Sequence, residues 1–103
     1  MHEQVFATLA DPTRRKIIEA LRREEQSVGD IVPIVGIHQS GVSRHLGILA
    51  EAGFVRVRAD GARRLYSLRP ERFLELATWM GRFRPLWDRR RRDRRSRNRS
   101  THS

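Results

Sequence analysis

Arginine is the residue of this chain that points most clearly to a chemistry. The sequence has 103 residues, with 22 Lys and Arg against 12 Asp and Glu, and a formal net charge of +10. Eight arginines lie within residues 89–103, where Asp93 is the single acid. Because a guanidinium can bind two phosphate oxygens at once, this pattern predicts an anionic partner: DNA, RNA or an anionic membrane surface.

Residues for other chemistries are scarce. The chain has no cysteine, which excludes disulfides, thiolate zinc sites and a catalytic thiol. His38 and His45 are seven residues apart, about 10 Å along a helix, which is too far for them to share a metal ion. No pair of carboxylates and no nucleophile with a base stands out, so we expect no enzyme, no metal and no cofactor.

The segment of residues 38–53 predicts a helix with two different faces. Its apolar residues recur at helical spacing and should face a core. The opposite face is small and polar, a texture that allows close approach to the major groove and contact with base edges. An ordinary solvated face is the alternative. The core-facing residues are Val42, Leu46 and Leu49, and the outward ones are Ser40, Ser43, Arg44 and Gly47.

Two short helices are predicted at the start of the chain. The first spans His2–Ala10 and carries Val5, Phe6 and Leu9 on one face. The second begins at Asp11-Pro12, because Asp is a favoured N-cap and Pro suits the first helical position. Its buried stripe is predicted to contain Ile17, Ile18 and Leu21.

A third helix is predicted to begin at Ser27, because Ser27 and Asp30 have the spacing of a capping box. Pro33 should shorten or kink this helix, and Gly36 should end it. A short helix, a tight turn and a second helix with a polar face make a helix-turn-helix, whose second helix reads DNA. The side chains expected to face inward are Ile31, Ile34 and Val35.

A β-hairpin is predicted after the fourth helix, from two alternating runs, Phe54–Arg58 and Arg63–Leu68. Asp-Gly between such runs is a strong hairpin signal. With Asp60-Gly61 as a two-residue loop, Arg58 lies opposite Arg63. The same register places Val57 opposite Arg64, and Val55 opposite Tyr66.

The predicted hairpin has an apolar face and a basic face. Like charges opposite each other repel, so Arg58 and Arg63 should be unfavourable until a polyanion lies beside them. This predicts a wing that contacts the DNA backbone or minor groove, with a merely solubilising charged hairpin as the alternative. Val55, Val57, Tyr66 and Leu68 are expected over the core, and Arg56, Arg58 and Arg63 on the other face.

A final helix is predicted to begin at Pro70 and to kink at Pro85. Its two tryptophans and two phenylalanines exceed what one small domain needs to bury. We therefore predict a two-fold contact built from the first and last helices, with a wholly intramolecular core as the alternative. The predicted interface consists of Val5, Phe6, Leu9, Phe73, Leu76, Trp79, Met80, Phe83 and Trp87.

Four segments follow one another in the order and spacing of a known family: Phe6–Ile18, Val42–Leu46, Glu51–Val55 and Gly61–Leu68. In these the chain resembles the ArsR family of bacterial winged-helix repressors, over about residues 2–88. The last helix, with its tryptophans, is similar to the cysteine-free, SdpR-like branch. The resemblance implies a homodimer that binds a partly palindromic operator and represses transcription.

The chain departs from the family pattern where many members sense metals. The resemblance places Ser27 and Gly29 at the positions of the sensing cysteines, and neither is a plausible metal ligand. A second metal site of the family uses a histidine on the last helix, where this chain has none. We therefore expect no metal sensing, and the sequence does not indicate whether a small-molecule effector exists.

The sequence thus predicts a mainly α fold with a small β-hairpin wing, a winged helix-turn-helix over residues 1–88, and a disordered arginine tail over residues 89–103. The predicted function is that of a dimeric transcriptional regulator that binds double-stranded DNA in a sequence-specific manner. We expect it to be cytoplasmic and nucleoid-associated, without a membrane segment. A sequence-indifferent nucleic-acid binder driven by the tail is the alternative. The predicted DNA contacts are Gln39, Ser40, Ser43, Arg44 and His45 on the recognition helix, and Thr13, Arg14, Arg58, Arg63 and Arg64 on the backbone side and wing. For His45, a histidine packed within the fold is the alternative.

Overall fold

The computed structural model describes residues 3–88, so the predicted arginine tail lies outside the described residues. The chain divides into two compact units, with the boundary between Phe73 and Leu74. The order of elements confirms the predicted winged helix-turn-helix. These are α1 (Glu3–Leu9), α2 (Pro12–Ala20), α3 (Val28–Val35), α4 (Gln39–Glu51), β1 (Val55–Asp60), β2 (Arg63–Leu68) and α5 (Pro70–Gly81).

Side-chain caps begin α2 and α3 where the sequence predicts them. Asp11 Oδ1 accepts hydrogen bonds from the backbone N–H groups of Thr13 at 2.8 Å and Arg14 at 3.1 Å. Ser27 and Asp30 form the reciprocal capping box, at 3.0 and 3.2 Å. These bonds satisfy helix N–H groups that have no partner within the helix, and so fix where each helix starts.

The core of the first unit lies where α2, α3 and α4 pack together and against β1. The predicted stripe of α2 and the apolar face of α4 are both buried, as is Phe54 at the start of the hairpin. The Phe54 ring meets Phe73 of α5 edge to face, with centroids 5.5 Å apart. The fully buried large side chains are Ile17, Ile31, Val42, Leu46, Leu49, Phe54 and Val55.

The prediction that Ile34 faces inward is wrong, because its side chain is 58% exposed. Helix α3 has only eight residues, and its buried stripe consists of Ile31 and Val35, one turn apart. The helix continues through Pro33 and ends two residues later, where Gly36 takes a left-handed conformation with φ of 78°. Because Gly lacks a Cβ, it adopts this turn without strain.

The hairpin register differs from the predicted one by two residues. Asp60 lies opposite Arg63, so Gly61 and Ala62 form the loop, and Arg58 lies opposite Leu65. Gly61 has a φ of 62°, and no non-glycine residue in residues 3–88 has a positive φ. A two-residue hairpin with Gly first, as in a type II′ turn, needs only one such residue, whereas an Asp-Gly type I′ turn needs two.

A shift of two residues keeps each side chain on its predicted face of the hairpin. The expected core face is nevertheless only partly buried, since Val57 is 45% exposed. On the opposite face Leu65 is buried, because β2 contacts α3 and its Tyr66 pairs through two backbone bonds with Gln26. The predicted repulsion between Arg58 and Arg63 is therefore wrong, since the two are not opposite each other.

Helix α5 ends earlier than the sequence predicts. It stops at Gly81, a turn follows at residues 82–83, and residues 84–88 are helical again. Pro85 explains the break, because it donates no hydrogen bond to the carbonyl of Gly81 and its ring would clash with that group. The interruption is larger than the predicted kink.

Ile31 and Ile34 form a matched pair on one helix, one fully buried and one exposed. Ile31→Ala should lower the free energy of unfolding by about 2–5 kcal/mol, because it leaves a cavity in the core. Ile34→Ala should change it by no more than about 0.5 kcal/mol. Urea titrations at one protein concentration measure both values, and equal losses would contradict the orientation of α3.

Candidate nucleic-acid interface

The outward surface of α4 is set by what its inner side packs against. Val42, Leu46 and Leu49 are fully buried, so the residues between them must face away from the core. His38 caps the helix, with its Nδ1 accepting a hydrogen bond from the N–H of Ser40 at 3.2 Å. We call Gln39, Ser40, Ser43 and Arg44, all of which are exposed, the polar face.

His45 does not lie with the polar face, although the sequence analysis grouped it there. Its side chain is buried and its Nδ1 has no hydrogen-bond partner among the described residues. It is close enough to Asp11, the N-cap of α2, to interact with it electrostatically. A direct DNA contact by this side chain would require it to leave that position.

The start of α2 supplies Thr13 and Arg14, which are both half-buried. Arg14 Nη2 lies 3.7 Å from Asp11 Oδ2, and its buried Nε has no partner in residues 3–88. The pKa of Asp11 is lowered, chiefly by the N–H of Arg14, with smaller contributions from Thr13, His45 and the Arg14 charge. This carboxylate thus caps α2 and links it to α4 electrostatically.

Arg58 of the wing, the hairpin of residues 54–68, is held by an acid outside it. Its Nε donates to Glu25 Oε2 at 2.8 Å, and its Nη2 donates to Oε1 of the same carboxylate. The hydrogen bonds with Arg58 lower the pKa of Glu25 and raise that of Arg58. A two-point contact of this kind orders the guanidinium before any partner arrives.

Arg63 is held in the same way by the start of α3, since its Nη2 donates to Asp30 Oδ2 at 3.2 Å. The N–H and side chain of Ser27 lower the pKa of Asp30, and the Arg63 charge lowers it further. Glu25 and Asp30 are wing partners that the sequence pattern does not indicate. Both lie 33 residues from the arginines they bind, so no local spacing signals the pairs.

Arg64 points to the other face of β2, opposite Ala59. It is exposed and forms no ion pair within the described part of the chain. Together with Arg63 it lines a cavity that also touches α3 and the polar side of α4. Arg63 and Arg64 thus line the same cavity as Ser43 of the polar face, while Arg58 and Arg63 are paired with acids.

The residues predicted for a dimer contact divide between the two units. In the first unit, Val5 is buried in the core and Phe73 packs on Phe54, so both already have intramolecular roles. Phe6 of the same unit has an exposed side chain. In the second unit, Trp79 and Phe83 stack edge to face at 4.9 Å. Leu9, Leu76 and Trp79 are half-buried, and Met80, Phe83 and Trp87 are exposed.

Residues 3–88 contain no group of three or more His, Cys, Asp and Glu side chains that could hold a metal ion. None of the described helices is both long and apolar enough to cross a bilayer.

Comparison with known proteins places this geometry in a family. The sequence model of the family described as bacterial regulatory proteins, arsR family, matches residues 11–57 of this chain. The transcriptional repressor SdpR of Bacillus subtilis is 34% identical over 76 residues, which are 74% of this chain and 84% of SdpR. This chain belongs to the ArsR family.

Two further relatives of this ArsR-family chain show how much of the fold is shared. The HTH-type transcriptional regulator Rv0081 of Mycobacterium tuberculosis is 39% identical over 74 residues, and the match spans 71% of this chain but 65% of Rv0081. The homodimeric winged helix-turn-helix DNA-binding domain of Mb0332 from Mycobacterium bovis superposes with a TM-score of 0.64 at 26% identity. That superposition covers 79% of this chain and 78% of the Mb0332 domain.

The bond between Glu25 and Arg58 should make stability depend on pH. A carboxyl whose pKa is lowered by folding stabilises the fold above its ordinary value of 4.5, and this contribution is lost as the pH falls through the lowered pKa. Glu25→Gln should therefore lose less unfolding free energy than the wild type between about pH 6 and about pH 3.

Glu24→Gln is the control for this comparison. It removes the same charge from the neighbouring residue, which is exposed and pairs with no arginine in residues 3–88. Urea midpoints across this pH interval should follow the wild type for Glu24→Gln and fall less steeply for Glu25→Gln. Identical pH profiles for all three proteins would show that Glu25 does not hold Arg58 in solution.

Proposed function

We propose that this ArsR-family chain is a homodimeric, sequence-specific DNA-binding protein that represses transcription. The observation that carries the proposal is the polar face of α4, exposed and backed by three fully buried side chains. A rigid helix with short polar side chains suits close approach to base edges in the major groove. The names of SdpR, a transcriptional repressor, and of the Mb0332 domain, a homodimeric DNA-binding domain, support it.

The proposed contacts form two sets, one to base edges and one to phosphates. The polar face would contact base edges and so carry sequence preference. The basic residues around it would contact phosphates and set the orientation of the protein on the duplex. The base-reading set is Gln39, Ser40, Ser43 and Arg44, and the backbone set is Thr13, Arg14, Arg58, Arg63 and Arg64.

Arginines already held by acids can still bind DNA by exchanging partners. Arg58 and Arg63 would leave Glu25 and Asp30 for phosphate oxygens, and the exchange costs little because the pairs are exposed. Arg64 forms no ion pair within the described residues, so it does not have to leave an acid before it binds a phosphate. We expect the arginine tail to add affinity that does not depend on sequence.

Dimerisation would place two copies of α4, and so two polar faces, on one duplex. Exposed apolar side chains at both ends of the described chain support this contact, since isolated protomers rarely expose so many large ones. They are Phe6 near the N-terminus and Met80, Phe83 and Trp87 near residue 88. Paired copies would read two half-sites about one helical turn apart.

The chain is proposed to act in the cytoplasm, bound to the nucleoid, and to have no catalytic activity. Family membership supports this, because the relatives described above are regulators. A sequence-indifferent nucleic-acid binder is the second candidate, and the observation that favours it is the concentration of eight arginines in residues 89–103. The two candidates differ in whether any one DNA sequence is preferred.

Arg44 tests base reading most sharply. Arg44→Ala should reduce the preference for a selected operator over random DNA by about 1–3 kcal/mol, because a bidentate contact to a base is lost. Arg22→Ala, which removes the same charge from a residue paired with Glu19, should weaken both DNAs equally. Competition binding measures the ratio, and equal losses with Arg44→Ala would reassign Arg44 to a phosphate contact.

Met80 and Leu74 test the dimer contact, because both are exposed on α5 and only Met80 belongs to the predicted interface. Met80→Glu should raise the dimer dissociation constant by at least about tenfold, since it buries an unpaired charge. Leu74→Glu should leave it unchanged. Sedimentation velocity over a dilution series measures both, and a dimer unaffected by Met80→Glu would contradict the proposed contact.

A further inference from the structure

One cavity lies between α4, which carries the polar face, and two neighbouring elements. It has a volume of about 600 Å³ and lies between α4, the start of α3 and strand β2 of the wing. This volume is in the range of small-molecule sites in proteins. Its walls are Ser43 and Gly47 of α4, residues 27–29 of α3, and Arg63, Arg64 and Tyr66 of β2.

The charge of the lining is positive. Two guanidinium groups contribute to it, and no acid is among the lining residues. Arg63 is shared with Asp30, but Arg64 forms no ion pair within residues 3–88, so its donors are available to a ligand. A guanidinium offers donors in a planar fork that fits two oxygens of one phosphoryl group.

Neutral donors lie on the other walls. The first turn of α3 carries backbone N–H groups and the positive end of the helix dipole, which favour an anion. Ser27 is occupied in the capping box, whereas Ser43 and Tyr66, which each carry a hydroxyl group, line the two remaining walls. The cavity thus offers charged and hydroxyl donors from three directions.

We propose that this cavity binds a phosphoryl group. The group could belong to the DNA backbone, which rests on the proposed function, or to a small phosphate ester. The chemistry of recognition is the same in both cases. Because Ser43 also belongs to the polar face, a small ester in the cavity and a DNA duplex on that face would exclude each other.

Gly47 allows a test that changes charge and little else. A Cβ at this position meets no atom within 4 Å, so a longer side chain can enter the cavity without disturbing the core. Gly47→Glu brings a carboxylate into the site, and Gly47→Gln brings a neutral side chain of the same shape. Both should fold, since replacing Gly within a helix favours the helix, and circular dichroism checks this.

The first arm uses pyrophosphate and the full chain without DNA. Pyrophosphate should raise the melting temperature of the wild type and of Gly47→Gln, and its affinity for Gly47→Glu should be at least about tenfold lower. Sodium chloride at equal ionic strength controls for screening. Binding that Gly47→Glu weakens and Gly47→Gln does not supports the proposal with a small phosphate compound as the source.

The second arm uses operator duplexes in which one phosphate at a time is replaced by a neutral methylphosphonate. At one phosphate of each half-site, the replacement should weaken wild-type binding about tenfold but should have no further effect on Arg64→Gln. At other phosphates the two effects should add. Coupling at that single position supports the proposal with DNA as the source.

The proposal is overturned if pyrophosphate gives equal shifts for both Gly47 variants and no phosphate couples to Arg64. That outcome leaves the proposed function standing wherever operator preference persists. If instead the protein shows no preference among DNA sequences, the proposed function fails, and the pyrophosphate arm still decides the cavity.

Discussion

Burial of one side of α4 is the constraint on which the rest of the surface depends. Val42, Leu46 and Leu49 fill the core between α2, α3 and the hairpin. Rotating the helix by one residue would bring a polar side chain such as Ser43 into this core without a partner, which costs several kcal/mol. The helix therefore presents Ser40, Ser43 and Arg44 to the outside in one fixed orientation.

The wing is held relative to α4 by contacts that lie far apart in sequence. Glu25 and Asp30 precede and begin α3, and they hold Arg58 and Arg63. Tyr66 pairs with Gln26 through the backbone. Arg63 and Arg64 line the same cavity as Ser43 of the polar face, so part of the surface proposed to meet DNA is ordered by the protein itself.

Features that depend on neighbours within one helical turn could be predicted from the sequence. The Asp11 cap, the Ser27 capping box and the two faces of α4 are of this kind. The hairpin could be predicted but its register could not, because β2 also contacts α3 and Gln26. For the same reason the exposure of Ile34 and the partners of the wing arginines could not be predicted from local spacing, whereas His45 has the i+3 spacing from Val42 that is typical of a buried stripe.

The central claim is that two copies of the polar face fit successive major grooves of one duplex. Selection of bound fragments from random DNA, followed by sequencing, tests it most directly. The account predicts an enriched inverted repeat with half-site centres about 10 base pairs, or a multiple of this, apart. Enrichment of no sequence, or of a single unpaired half-site, would contradict it.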